Sequence, residues 1–244
     1  MQAGVVRAYA PTAAPPRVTV AGLRYALGDC VLGVSFLLAM LPAAHALSFT
    51  LAGAANLVWL TGAAIMAVMS FARFAPCTST VNWRTLAATG GMLILPCFMR
   101  PTAMSTGALA TAGLIFELFG VVLTQVARVY MGRSFGILPA NRGIVSKGPF
   151  RSVRHPIYFG WLVLSLGYAM SFTSERNILL IAMTLPFMVW RIGQEEVHLS
   201  ADPEYLRYMN RVPYRLCPGL FRSPSVYSSD ERVSVRSLPR VPIR

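Results

Sequence analysis

Arg154, His155 and Tyr158 crowd into the stretch Lys147-Gly-Pro-Phe-Arg-Ser-Val-Arg-His-Pro-Ile-Tyr-Phe-Gly160, and Arg191, Glu195 and Glu196 follow after two apolar segments. Guanidinium, imidazole, phenol and carboxylate groups can hold anions and move protons. Gly148-Pro149 makes a turn, and Pro156 turns His155 away from helical backbone while suiting the first position of a following helix. A helix start here aims unpaired N–H groups at Arg151, Arg154 and His155, a positive corner suited to a carboxylate or phosphate. Tyr158 adds a ring and a hydroxyl, and Gly160 allows close approach. Further on, Arg191 and Glu195 stand at i, i+4 and pair on one helix face, leaving Glu196 on another. The plain alternatives are a basic flank of a membrane helix and a salt-bridged helix end.

The elements that must position these groups are membrane helices. With 55% hydrophobic and 13% charged residues in 244, the chain is too apolar for an ordinary soluble domain. Apolar stretches at 25–44, 51–72, 83–99, 109–130, 157–172 and 177–190 predict an all-α bundle of six membrane helices, the last two short and joined as a tight hairpin. The formal charge of +13 is distributed as a topology signal: of 22 basic residues, only Arg100 and Arg176 fall in the connections of one side. This places both termini in the cytosol and argues against nucleic acid as the partner.

Residues 1–22 read as a flexible arm, 23–108 as three membrane helices, 109–221 as the functional core and 222–244 as a disordered basic tail. Cys30, Cys77, Cys97 and Cys217 are scattered without metal-ligand spacing, so no metal site is expected. Glu117 lies mid-span, where an ionised carboxylate costs about 2.5–3.5 kcal/mol on insertion scales. It therefore faces either a substrate chamber or a neighbouring helix. Asp202-Pro203-Glu204 has the order of N-cap, first-position proline and first-turn acid, starting a short helix through Met209 with Tyr205 and Tyr208 on one side.

The run Gly-Pro-Phe-Arg-x-Val-Arg-His-Pro-x-Tyr-x-Gly resembles the isoprenylcysteine carboxyl methyltransferase family, membrane enzymes related to the phospholipid methyltransferases. Gly132-Arg-Ser-Phe135, the Glu-Glu-x-x-Leu element at 195–199 and the Val-Pro-Tyr-Arg segment at 212–215 extend the resemblance over roughly residues 110–221. The last of these also resembles the tail of the membrane sterol reductases. The resemblance implies an S-adenosylmethionine-dependent enzyme acting on a lipophilic or lipid-modified acceptor: a carboxylate, thiol or amine. It implies a multi-pass protein of the inner membrane in a bacterium, or of the endoplasmic reticulum in a eukaryote. By resemblance and by the helix-start argument, Gly148, Pro149, His155, Tyr158 and Gly160 fall on the cofactor side; Arg154 and Glu196 are the candidate catalytic residues, and Arg191 and Glu195, with Glu117 from its mid-span position, are the candidates to serve the acceptor. Two other classes stay open, an NADPH-dependent reductase and a non-catalytic lipid-binding protein.

Overall fold

Asn82 caps a helix: its side chain accepts from the Thr85 N–H, and the Thr85 hydroxyl caps the Asn82 N–H in return. The computed structural model describes residues 78–79, 82–100, 105–134, 136 and 140–219, with isolated helical positions between 57 and 68. The arm at 1–22, the apolar stretch 25–44, much of 51–72 and the tail at 222–244 lie outside them. Five helices follow in order: α1 (Trp83–Ile94, prolonged by a 3-10 turn over Leu95–Phe98), α2 (Gly107–Met131), α3 (Pro156–Ser171), α4 (Glu175–Leu199) and α5 (Pro203–Arg211). Among the described residues a two-residue antiparallel pairing joins β1 (Thr78–Ser79) to β2 (Ala140–Asn141).

α2 and α4, each of 25 residues, are long and apolar enough to cross a bilayer. On α2, Ile115, Phe119, Val122 and Val126 repeat at helical spacing and are exposed, a surface suited to lipid. α3 has 16 residues, roughly 24 Å at the usual rise. The short sixth span expected at 177–190 is instead a helix from Glu175 through Pro186 to Leu199. It continues past the apolar segment because Arg191, Glu195 and Glu196 find partners inside the protein, so the charges do not force it to end.

The tight hairpin expected of α3 and α4 is tight only in its connection, Phe172–Ser174. α3 packs along α2 and α4 leans on α1, while the backbones of the two hairpin legs stay apart and meet through side chains such as Tyr158, Met188 and Ile192. Small residues explain the choice. A Cβ on Gly120 would lie 2.6 Å from the Gly160 carbonyl oxygen, and one on Gly167 would lie 2.6 Å from the Gly113 carbonyl oxygen. The α2 and α3 backbones therefore meet directly, which is how helices associate where no water drives them together. At the end of the bundle away from His155, buried Asn177 donates to the Arg100 carbonyl and accepts from its N–H.

Gly120→Leu should separate α2 from α3 and lower the melting temperature of the purified protein sharply, an overpacking cost of about 1–3 kcal/mol or more. Gly193→Ala on α4, where an added Cβ meets nothing within 4 Å, should leave it unchanged or raise it slightly.

Candidate active site

Pro156 stands at the first turn of α3, with His155 at φ −124° and ψ 60° just before it. The Arg154 and His155 N–H groups donate to the Tyr214 and Arg215 carbonyls, both at 2.9 Å. The segment after α5 thus pairs with the main chain just ahead of the α3 first turn, and the positive corner is carried by side chains.

Those side chains converge on Glu196 of α4. Its Oε1 accepts from Arg154 Nε at 3.0 Å and faces His155 Nε2 at 3.1 Å. Its Oε2 accepts from Arg215 Nε at 2.9 Å and lies 2.6 Å from Arg215 Nη2. Arg154, His155 and Glu196 are only 4%, 7% and 4% exposed, so these contacts stand in place of hydration. The carboxylate selects the Nε2–H form of the imidazole and leaves Nδ1 facing the cleft, 3.9 Å from Glu195 Oε2. One turn away lies a second network. The Tyr158 hydroxyl donates to Glu195 Oε1 and accepts from Arg191 Nε, both at 2.6 Å, and Arg191 Nη2 reaches Glu195 Oε1 at 3.0 Å. Arg191 also donates to the Thr89 hydroxyl, anchoring the network to α1.

Two cavities meet at these groups, and Met131, Gly136, Phe150, Arg154, His155 and Glu195 line both. The first, about 130 Å³, lies between Arg142-Gly-Ile-Val145 and the α4–α5 corner, with Tyr205 and Tyr208 on its wall. Burial pushes both phenols above the ordinary range, so they stay protonated. The Tyr208 hydroxyl donates to the Phe150 carbonyl at 2.8 Å. Asn141 ties the loop down by donating to Asp202 at 2.6 Å, and Asp202 also caps α5 through the Glu204 N–H. The second cavity, about 140 Å³, is more apolar and runs between α1 and α2, past Met92, Leu93, Ile157 and Arg128.

Six of the residues singled out from the sequence, Arg154, His155, Tyr158, Arg191, Glu195 and Glu196, come together here. Gly148, Pro149, Gly160 and Glu117 line neither cavity. Gly148, at φ +56°, turns the chain beside the Tyr130 ring. The close approach at Gly160 is made by α2, since a Cβ there would lie 2.9 Å from the Gly120 carbonyl oxygen. Glu117 packs beside Gly167 in the same seam. Sequence reasoning missed Arg215, Arg128 and Thr89. Arg215 sits in the Val-Pro-Tyr-Arg segment that carried part of the resemblance, whereas nothing local in the sequence marks Thr89.

Residues 102–202 match the phospholipid methyltransferase family. Over part of its length the chain is similar to curated relatives named protein-S-isoprenylcysteine O-methyltransferase. That of Xenopus laevis is 32% identical over 116 residues, 43% of this chain and 39% of its own length. Form A of Arabidopsis thaliana is 31% identical over 108 residues, covering 41% and 55%. The Schizosaccharomyces pombe protein is 32% identical over 111 residues, covering 42% and 47%. The chain thus spans about half the length of these relatives or less, and residues 102–202 contain both the His155 and the Glu196 arms of the cleft.

Glu196→Ala should strand Arg154 and His155 without their acceptor and destabilise the protein by about 3–5 kcal/mol, read as a fall in its unfolding midpoint. Arg215→Ala should cost less, because the Arg215 side chain is 41% exposed and keeps access to water when its partner contact is lost.

Proposed function

We propose that this chain is a multi-pass integral-membrane methyltransferase that binds S-adenosylmethionine on the cytosolic side and methylates a lipophilic acceptor drawn from the bilayer. The observation that carries this reading is the pair of cavities sharing Arg154, His155 and Glu195: one polar and ring-lined, the other apolar and bordered by α1 and α2. Methyl transfer needs donor and acceptor aligned across a short gap with water excluded, and such a junction supplies that alignment. Six spans, cytosolic termini, a core over 109–221 and flanking arm and tail segments belong to the same proposal, supported by the lengths of α2 and α4 and by the basic-residue asymmetry.

The first cavity suits the chemical parts of the cofactor. The Tyr205 and Tyr208 rings can receive a flat base, Arg142 a carboxylate, and Glu195 a positive charge. The bound sulfonium supplies an electrophilic methyl group. Arg154 is built to hold the acceptor: Nε is committed to Glu196 and Nη1 to the Val212 carbonyl at 3.3 Å, while buried Nη2 has no partner among the described residues. A buried donor left unpaired is costly, and an anionic acceptor oxygen would satisfy it. Glu196 acts here as the positioning residue for Arg154 and His155. Where the acceptor is an amine, His155 Nδ1 is the group placed to take its proton.

Purified protein given methyl-labelled S-adenosylmethionine and a lipid extract or a prenylated cysteine peptide should transfer label to the lipophilic product. Arg154→Lys keeps the charge but loses the planar fork, and should lower the rate at least about tenfold while cofactor binding persists, about 1.4 kcal/mol of barrier. Binding of NADPH in place of S-adenosylmethionine, with no label transferred, would refute the reading.

A further inference from the structure

Arg128 occupies the last turn of α2 and lines the apolar cavity. Its Nη1 donates to Gln125 Oε1 at 3.2 Å, but its Nε is buried with no hydrogen-bond partner among the described residues. Arg154, from the segment preceding α3, lines the same cavity and is left with a buried, partnerless Nη2. Among the described residues the carboxylate lining this cavity is Glu195, whose Oε1 is engaged by Arg191 and Tyr158. The described lining therefore carries three guanidinium groups, Arg128, Arg154 and Arg191, against one carboxylate, and two of the three keep an unsatisfied donor. A cationic headgroup would be repelled there, and a neutral one would leave both donors unpaired.

We infer that Arg128 and Arg154 form a two-point anchor for the anionic headgroup, carboxylate or phosphate, of a membrane amphiphile, which makes Arg128 a specificity residue favouring acidic over amine acceptors. The inference rests on reading the apolar cavity as the acceptor site. The walls at Met92, Leu93 and Ile157 take the chain of such a molecule, and the arginines take its oxygens.

Binding can be measured apart from turnover, by titrating the full protein in neutral maltoside detergent with dodecyl phosphate, dodecanoate, dodecyltrimethylammonium and inorganic phosphate. The two anionic amphiphiles should bind, the cation should not compete, and inorganic phosphate should bind far more weakly because it lacks the chain. Arg128→Gln should weaken binding of both anions at least about tenfold, and Arg128→Lys by less, since charge is kept and the directional donor lost. Arg176→Gln, at an exposed arginine donating to the Phe98 carbonyl at the other end of the bundle, should change nothing. Circular dichroism and elution volume establish that each variant is folded; should Arg128→Gln not be, Arg128→Lys carries the test alone. Equal binding by wild type and the folded Arg128 variants, preference for the cation, or inorganic phosphate binding as tightly as dodecyl phosphate would overturn the anchor. Label transfer with unaltered anion binding in the Arg128 variants sinks this inference and leaves the methyltransferase reading standing. The predicted binding pattern with no transfer to any acceptor does the reverse.

Discussion

The Glu196 carboxylate is the point on which the cleft depends. It is buried, so its charge is tolerable only while Arg154, His155 and Arg215 surround it. These groups come from the segment before α3, the end of α4 and the strand-like segment after α5. One carboxylate therefore joins three pieces of chain that would otherwise diverge. It also orients two of them, leaving buried Arg154 Nη2 without a partner among the described residues and His155 Nδ1 3.9 Å from Glu195 Oε2. A buried ion pair of this kind contributes modestly to net stability, but it strongly penalises any arrangement that leaves one member alone.

Why the join must be made by side chains follows from how the helices pack. α3 commits its glycine face to α2, and α4 commits to α1, so the α3 and α4 backbones stand apart. Side chains span the wedge: Tyr158 of α3 shares a buried apolar cluster with Met188 and Ile192 of α4, and polar bridges run from Tyr158 to Glu195 and from His155 to Glu196. The cavities lie beside these bridges, and the apolar one runs on toward α1 and α2. Helix packing thus determines that there is a cleft, and electrostatics determines its chemistry.

The loop and α5 close the other side. Asn141 is held by the short pairing with Thr78 and by Asp202, the residue that also caps α5. Tyr205 and Tyr208 then present their rings from α5 to the cavity wall. A nine-residue helix could not hold this position unaided in water; its docking onto Phe150 and Ala127, with Tyr208 bonded to the Phe150 carbonyl, supplies what local propensity lacks.

Several features were legible in the residue order because their causes are local. Apolar runs set the helices, Pro156 and Asp202-Pro203 set two helix starts, the spacing of Arg191 and Glu195 made them partners, and the motifs pointed to a methyltransferase family. Other features depended on contacts between distant segments. Arg215 reaches Glu196 only because residues 214–215 pair with 154–155, and Thr89 meets Arg191 only because α1 lies along α4. Gly160 reads as ligand room in the sequence and is helix contact in the fold, while Glu117 falls in the same seam. By itself the sequence determined which segments are helical and which residues carry charge, since periodicity and composition act over a few neighbours. The tertiary structure alone decided which charges remain unpaired and face a common space, because that depends on which helix faces another and no local pattern encodes it.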